Sequence, residues 1–358
     1  MKSKACVAPL AVFAVFVSPA GVAQDSWTDS ISFKGDFRPR YEYIDMEGLP
    51  ENDRGRFRIR VGMSADVKDD VKVVFQLASG GDNPVSTNQS FDGGFTRKDI
   101  GIDLAYADWT ANDEWHVFVG KMKNPIHRAG SHALIWDSDL NPEGVAVGFE
   151  SGAFFGTAGT YFVEERSLTD DSLLLTAQGG MHFEMSENSM LTAGAGYYAY
   201  TNTVGNSPFW IGLPFGNSVD PNGNLIYDYH QLEVFAEYET TIGKIPLSLF
   251  VDYVQNLEVD LNDTGTAFGA RIGKADEPGT WQASWAWQEL EADAVIATYT
   301  DSDFGGGGTD ARGHTIKAAY ALAENWTVGG TLFLNEVGLA SGSPQDFTRL
   351  QLDLNFSF

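Results

Sequence analysis

Five arginines alternate with apolar residues along two neighbouring stretches of the chain. Arg38 and Arg40 lie in the first stretch, and Arg56, Arg58 and Arg60 lie in the second. In an extended strand every second side chain points to the same face, so each stretch places its guanidinium groups in one row. A guanidinium group stays charged and binds carboxylates and phosphates through paired hydrogen bonds. The pattern therefore predicts electrostatic attraction of anions rather than bond-making chemistry.

The residues between these arginines are apolar, among them Phe37, Phe57, Ile59 and Val61. If that apolar face borders lipid, an arginine turned outward costs about 2 to 4 kcal/mol at mid-membrane. We therefore expect all five arginines to point into a water-filled interior, where they attract anionic solutes or form one side of a transverse field. The alternative is that carboxylates of the wall and loops neutralise them, and the candidates are Asp36, Glu42 and Asp66.

Residues 123–143 form the segment best suited to face these arginines. They include apolar side chains such as Ile126, Leu134 and Trp136. Because apolar content is unusual in a solvated loop, we expect the segment to fold into the interior and constrict it. Its acidic residues would then lie opposite the arginines and orient dipolar solutes; they are Asp137, Asp139 and Glu143. The alternative is a loop packed over the rim or against a neighbouring subunit.

The end of the chain carries the clearest strand. Leu350, Leu352, Leu354 and Phe356 alternate with polar residues, and the last residue, Phe358, continues the apolar row. A strict period of two that closes on a phenylalanine is typical of bacterial outer-membrane barrels. We interpret Phe358 as the signal that the barrel assembly machinery reads.

Sixteen such alternating segments follow one another after residue 24. Short polar turns follow the even-numbered segments, and longer connections rich in glycine and aspartate follow the odd-numbered ones. This asymmetry places both chain ends on the periplasmic side. We predict an all-β fold, a sixteen-stranded antiparallel transmembrane β-barrel with short periplasmic turns and long extracellular loops. The predicted strands are 32–44, 54–67, 71–78, 100–109, 115–122, 144–150, 155–164, 173–184, 190–200, 229–240, 245–254, 266–274, 281–288, 314–322, 326–335 and 347–358.

Composition and the first residues agree with export to a membrane. Residues 1–23 have the form of a cleaved signal peptide, with Lys2 and Lys4 before an apolar run at 5–17 and cleavage expected after Ala23 or, as second choice, after Ala20. The single cysteine, Cys6, leaves with that segment, so the remaining chain forms no disulfide. After it no stretch of eighteen apolar residues occurs, which excludes helical spans and leaves a closed barrel, residues 24–358, as the membrane-compatible fold. A soluble all-β protein is the alternative.

Other constellations favour no catalytic or metal site. The six histidines form no HExxH pattern, and Ser131 beside His132 is the nearest approach to a nucleophile and base. Residues 301–310 only partly match a calcium-binding loop. We therefore expect no enzyme activity, no cofactor and no metal. Many acidic residues fall in outer loops, where we expect a solvated rim bridged by divalent cations to lipopolysaccharide; they are Asp45, Glu47, Glu51, Asp53, Glu291, Asp293, Asp301, Asp303 and Asp310.

Three motifs and the chain end carry a family resemblance. They are Gly-Lys-Met-Lys-Asn-Pro at 120–125, Leu-Ile-Trp-Asp-Ser-Asp-Leu-Asn-Pro-Glu-Gly at 134–144, Asp-Ser-Asp-Phe-Gly-Gly-Gly-Gly-Thr-Asp at 301–310, and Phe358. With them the chain resembles the putative porin family of Gram-negative outer membranes. It is more distantly similar to the general trimeric porins and to the phosphate-selective porins O and P. The resemblance implies a sixteen-stranded barrel, diffusion of small hydrophilic solutes and a homotrimer, and the phosphate-selective relatives line their pores with basic residues.

Taken together, the sequence predicts an outer-membrane channel for passive diffusion of small hydrophilic solutes and ions. We also expect the protein to contact outer-membrane lipid and lipopolysaccharide. We expect it to bind no nucleic acid. The alternative is an anion- or phosphate-selective channel whose arginines hold the solute. A third possibility is a closed barrel that serves adhesion or a structural role through its outer loops.

Overall fold

The computed structural model describes residues 30–358, so the predicted signal peptide, residues 1–23, lies outside the described part of the chain. Sixteen long strands form one sheet. Each comes from a stretch of alternating apolar and polar residues, which suits a wall with one oily and one wet face. In chain order they are β1 Ile31–Met46, β2 Asn52–Lys68, β3 Val71–Ser79, β4 Ile100–Asn112, β5 Trp115–Lys121, β6 Glu143–Ser151, β7 Phe154–Glu164, β8 Ser172–Ser186, β9 Ser189–Tyr200, β10 His230–Ile242, β11 Ile245–Asn256, β12 Thr264–Gly273, β13 Trp281–Leu290, β14 Ala311–Ala323, β15 Trp326–Val337 and β16 Gln345–Ser357.

The sheet closes on itself because its first and last strands pair. β1 lies antiparallel to β16, with Phe37 opposite Phe356. At one end of this seam the backbone groups of Gly35 and Phe358 exchange two hydrogen bonds, of 2.7 and 3.0 Å. The other strands each pair with their neighbours in sequence. The prediction of a closed, sixteen-stranded antiparallel barrel is confirmed, and the predicted strand bounds differ from the observed ones by at most three residues.

The connections at the two ends of the barrel differ in length. Those after even-numbered strands are two-residue turns, with one longer exception at residues 274–280. Those after odd-numbered strands are longer and reach 29 residues at 201–229. A two-residue strand segment, Gln89–Ser90, lies within the connection after β3 and pairs with β2. β1 begins and β16 ends at the end with the short turns, which we call the short-turn end.

The outer face of the barrel is apolar. Phe33, Val61 and Leu352 are 74 %, 42 % and 49 % exposed, and each alternates with a polar or charged residue that points inward. Trp115 and Trp326 are also exposed and follow directly after short turns. Isolated exposed apolar side chains are normal on soluble proteins, but a continuous apolar band is the expected surface of a wall that borders lipid.

Three long connections fold back into the barrel. We call them loop 3 (residues 122–142), loop 5 (residues 201–229) and loop 7 (residues 291–310). Their helical structure consists of single 3-10 turns such as Ala129–Ser131 and Ala297–Tyr299. Across residues 30–358, no helix has the length and apolar character needed to cross a membrane.

The infolded loops share a hydrophobic core with one side of the barrel wall. Trp136 of loop 3, Phe209 of loop 5 and Ile296 of loop 7 are each at most 3 % exposed. They belong to one cluster with Tyr198 of β9 and Leu290 of β13. Because burial of apolar surface is favourable, this core holds the loops against the wall and leaves the opposite side, near β1, β2 and β16, to polar groups.

The prediction of a solvated rim is wrong for three acidic residues of loop 7. Asp293 is 1 % exposed and accepts hydrogen bonds from the Ser218 and Tyr229 hydroxyls, at 2.6 and 2.9 Å. Asp301 and Asp303 lie beside the inner wall and line a cavity there. Loop 7 folds inward because apolar residues such as Ile296 join the core. This places its acidic residues inside the barrel as well.

Candidate functional site

Arginines of three adjacent strands share the inner wall. The register places Arg38 opposite Arg58 and Arg40 opposite Arg56, while Arg60 lies opposite Asp36. The strand alternation brings all five predicted arginines to this face. Two further arginines join them, Arg54 of β2 and Arg349 of β16. We call this set the arginine wall; its members are Arg38, Arg40, Arg54, Arg56, Arg58, Arg60 and Arg349.

Arg40 is neutralised by two carboxylates from different elements. Its Nε and Nη2 donate to the two oxygens of Asp353, at 2.7 and 2.8 Å, in the paired geometry that fixes both planes. Its Nη1 lies 3.3 Å from Asp303 of loop 7, which also accepts from Arg349 at 2.7 Å. Arg40 and Arg349 are 7 % and 5 % exposed, so these contacts are shielded from water. Loop 7 therefore attaches to the wall through charge as well as through its apolar residues.

Two wall carboxylates serve most of the other arginines. Glu42 has no exposed surface and accepts from the Arg54 Nε, with Arg56 and Arg349 3.7 and 3.9 Å away. Asp36 accepts from Arg58 at 2.9 Å and from Arg60 at 2.7 Å. Asp36 and Glu42 therefore neutralise arginines of the wall, as the alternative prediction from the sequence stated. Asp66, the third candidate, lies 3.9 Å from Lys72 instead.

Arg38 differs from its neighbours. Within residues 30–358 it has no carboxylate oxygen within salt-bridge distance, and its one side-chain hydrogen bond, of 2.7 Å, goes to the neutral amide oxygen of Asn88. Its Nε is buried without an acceptor among the described residues. A charged donor without an anion close by is costly. Arg38 is the guanidinium of the arginine wall with most capacity left for an anion.

The three predicted acids of the constricting segment have different positions. Asp139 faces the arginine wall, 3.8 Å from Arg58 and 3.7 Å from Arg60. Asp137 is 6 % exposed and binds loop 7 through the Ser302 backbone N–H at 2.9 Å. Glu143 does not face the arginines: it is the first residue of β6, shares the outward parity of Val145, and pairs with Lys121 at 2.9 Å. The prediction that Glu143 faces the arginines is therefore wrong, because Glu143 belongs to strand β6 and not to the loop.

Two loop carboxylates have opposite electrostatic settings. Burial raises the pKa of Asp137 well above its ordinary value, and the charges of Asp301 and Asp139 add to that effect. Burial would also raise the pKa of Asp303, but Arg349 and Arg40 outweigh it and hold that pKa far below the ordinary value. Asp303 is therefore a fixed negative charge, whereas burial favours the protonated form of Asp137.

A polar cavity of about 290 Å³ lies between the arginine wall and loops 3 and 7. Arg38 and Arg58 line one side, and Asp139 and Asp303 line the other, with Lys317 of β14 nearby. Opposite charges across a narrow gap produce a transverse field, which acts on dipolar and charged solutes. The arrangement can attract, orient and delay such solutes without bond-making chemistry.

Loop 3 is held in place by inward-pointing polar groups of β8, β10 and β13. The Gly130 N–H donates to Glu237 of β10 at 2.9 Å. The backbone of His127 exchanges two hydrogen bonds with the Gln178 amide, of 2.8 and 2.9 Å. The His132 Nε2 lies 2.7 Å from the Gln288 side-chain oxygen. Burial, followed by the charge of Lys317, lowers the pKa of His132 to about 4, so the ring is neutral at pH 7.

The sequence could have identified both missed arginines. Arg54 continues the alternation of Arg56, and Arg349 lies on the polar face of the last strand, which closure places beside β1. No comparable signal identifies Asp303 as a partner of Arg40, because loop 7 reaches the wall only through its tertiary fold. Among residues 30–358 no group of three or more His, Cys, Asp or Glu residues is arranged to hold a metal ion.

Comparisons with known proteins identify both a family and a fold. A family model described as putative porin matches residues 46–210 and 218–358. No match was found among curated protein sequences. Among solved structures, the high-pH structure of OprB from Pseudomonas putida is 14 % identical, with a TM-score of 0.63 and coverage of 92 % of this chain and 95 % of that one.

Two further solved structures have the same fold at low sequence identity. The daunomycin complex of OmpF from Salmonella typhi is 11 % identical, with a TM-score of 0.58 and coverage of 93 % and 99 % of the two chains. A loop-deletion mutant of OmpT from Vibrio cholerae is 12 % identical, with a TM-score of 0.52 and coverage of 92 % and 100 %. At these identities the likeness establishes the barrel architecture alone.

Proposed function

The chain belongs to the putative porin family, and from that premise we propose that it forms a channel for passive diffusion of small hydrophilic solutes and ions across the bacterial outer membrane. Solutes enter between the long loops, pass the gap between the arginine wall and loops 3 and 7, and leave at the short-turn end. No bond is made or broken on the way. The long loops face the exterior and the short turns face the periplasm.

The observation that carries this proposal is the placement of charge. Seven arginines and the carboxylates Asp36, Glu42 and Asp353 point into the barrel, while the outer face is apolar. Charges at this density in a wall that stands in lipid are expected on the side of a water-filled bore, also where carboxylates pair with them. The polar cavity beside Arg38 supports the route, because loops 3 and 7 narrow the bore there without filling it.

Liposome swelling tests the channel directly. Purified protein is reconstituted into liposomes, and the vesicles are diluted into isotonic arabinose, glucose or sucrose. We expect rapid swelling with the smallest sugar and slower swelling with the larger ones, because the constriction selects by size. Vesicles prepared with heat-denatured protein are the control. A barrel closed by its loops, as an adhesion protein would be, gives no swelling with any sugar.

An anion-binding channel is the second candidate, and Arg38 is the observation that favours it. A guanidinium without a carboxylate partner at a constriction can hold a phosphate or carboxylate group of the solute for longer than a paired one. In that case chloride conductance falls as phosphate is added and reaches a plateau at millimolar phosphate. Conductance that scales with salt concentration and ignores phosphate favours simple diffusion.

The proposal extends to location and assembly. An exported chain with this outer surface would insert into the outer membrane beside lipid and lipopolysaccharide, and Phe358 would serve as the recognition signal for the assembly machinery. The backbone pairing of Phe358 with Gly35 supports a role at the closing seam. We also propose a homotrimer on the family resemblance. Cross-linking of the protein in native membranes tests it, with a band at three times the chain mass expected.

A further inference from the structure

A second cavity, of about 570 Å³, lies inside the barrel toward the short-turn end. Residues of β4 to β8 line it, most of them inward-facing, together with the turn after β4 and the start of loop 3. Its volume falls in the range of small-molecule sites. Loop 3 lies between it and the cavity beside Arg38, since His127 lines the one and His132 lines the other.

Aromatic rings cover much of this cavity. His116 and Phe118 of β5 are stacked at 6.0 Å, and Phe155 of β7 and His182 of β8 are stacked at 4.8 Å. His127 of loop 3 lies 5.4 Å from Phe155. Burial lowers the pKa of His127, so this ring is neutral at pH 7.

Glycines keep the surface between the rings open. Gly148 of β6 lies opposite His116 and Thr157 in the sheet and contributes no side chain to the cavity floor. The ring of Phe155 lies directly over Gly180, where any Cβ would collide with it. The rings of Phe118 and Phe155 are each stacked on a histidine and still form part of the cavity lining. A planar group or a quaternary ammonium could lie against them.

The charged residues that line the cavity are acidic. They are Asp108 of β4, Asp113 and Glu114 of the following turn, and Glu150 of β6. Asp108 is 3.0 Å from His116, and Glu114 accepts from the Ser151 hydroxyl. Asp113 and Glu150 are exposed. Among residues 30–358, no lysine and no arginine lines this cavity, in contrast to the arginine wall. Carboxylates beside aromatic faces are the groups that recognise an organic cation.

We propose that this cavity is a binding site for organic cations that carry a planar ring, formed by Phe118, Phe155 and the carboxylates of Asp113 and Glu150. The acidic lining disfavours anions, and the rings add an affinity for a ring-bearing cation that a bare ammonium ion does not have. The site rests on the proposed function, because its solute reaches it through the bore.

Calorimetric titration of the full-length protein in detergent at pH 7 tests the site. The probe is benzyltrimethylammonium, and two analogues each remove one feature: tetramethylammonium has no ring, and benzyl alcohol has no charge. We expect the probe to bind about ten-fold more tightly than either analogue, since cation–π contacts and carboxylate attraction act together. Equal binding of benzyl alcohol would overturn the role of the carboxylates, and equal binding of tetramethylammonium would overturn the role of the rings.

Neighbouring residues of opposite orientation supply matched controls. Phe155→Leu should weaken the probe about three-fold or more. Phe154→Leu should have no effect, because Phe154 points outward and is 55 % exposed. Glu150→Gln should weaken the probe similarly, whereas Glu143→Gln on the outer face should not. Equal effects of Phe154→Leu and Phe155→Leu would overturn the assignment.

Single-channel recordings on the same preparations separate this inference from the channel itself. Conducting channels that bind none of the three probes would overturn the cation site and leave the proposed function intact. Probe binding with the expected ring and charge preference, in a protein that never conducts, would overturn the proposed function. Binding together with block of the current supports both.

Discussion

Replacing Arg38 with glutamine gives the sharpest test of the arginine wall. The other wall arginines have carboxylate partners, whereas Arg38 donates to the neutral Asn88 amide. Removing its charge should therefore lower anion permeability, and the substitution keeps a polar side chain at the position. The only side-chain hydrogen bond lost among the described residues is the one to Asn88, so the barrel should still fold.

The magnitude follows from the size of the cavity. A sphere of 290 Å³ has a radius of about 4 Å, so an ion at its centre lies about 5 Å from the guanidinium. At the dielectric constant of water the attraction is about 0.8 kcal/mol, which corresponds to about four-fold in permeability. We therefore expect a decrease of about four-fold in the anion-to-cation permeability ratio at low salt, and a smaller one where salt screens the charge.

The assay is the reversal potential in planar bilayers under a ten-fold gradient of potassium chloride. The control is the double variant Arg312→Gln with Glu336→Gln, which removes an exposed ion pair of 2.7 Å outside the cavity beside Arg38 and leaves the net charge unchanged. We expect a shift toward cation preference with Arg38→Gln and none with the double variant. An unchanged reversal potential for Arg38→Gln, or an equal shift in the double variant, would show that the charge of Arg38 does not set the ion preference of the channel.

Three further predictions concern the loops and the closing seam. Glu237→Ala removes the acceptor of the Gly130 N–H and should destabilise docking of loop 3 by about 1 to 3 kcal/mol, visible as greater open-channel noise that Glu237→Gln does not produce. Gly35→Ala places a Cβ against the Phe358 ring and the Arg60 carbonyl, so less folded, heat-modifiable barrel should form on gels than with Gly101→Ala, where a Cβ meets nothing within 4 Å. Because the pKa of His132 is lowered to about 4, its contribution to loop docking is complete above about pH 6.5 and is lost as pH falls through 4; open-channel noise should rise over that window, and less so in His132→Gln.

The barrel itself could be predicted from the sequence because its cause is local. Strand alternation and turn length depend on residues that are neighbours in the sequence, such as the row Leu350, Leu352 and Leu354. The same alternation determines which face of the wall each arginine side chain occupies. Closure then follows, since an open edge cannot stand in lipid. The same alternation predicts that Arg54 and Arg349 point inward.

The fold of the loops inside the barrel could not be predicted in the same way. Asp303 meets Arg40 because Ile296 and its neighbours join a core built from three loops, and that core depends on contacts between residues far apart in sequence. Glu143 was misplaced because a shift of one residue at a strand boundary changes which face a side chain occupies. Loop 3 was identified by its apolar content, but its anchors at Gln178, Glu237 and Gln288 are ordinary polar wall residues.

We propose that a solvated route passes through this barrel beside the arginine wall. Single-channel recording of the purified protein in planar bilayers tests it most directly, over a range of potassium chloride concentrations. We expect discrete current steps whose conductance is ohmic and rises with salt concentration. A protein that inserts into the bilayer as a folded barrel and produces no current steps at any salt concentration would contradict it.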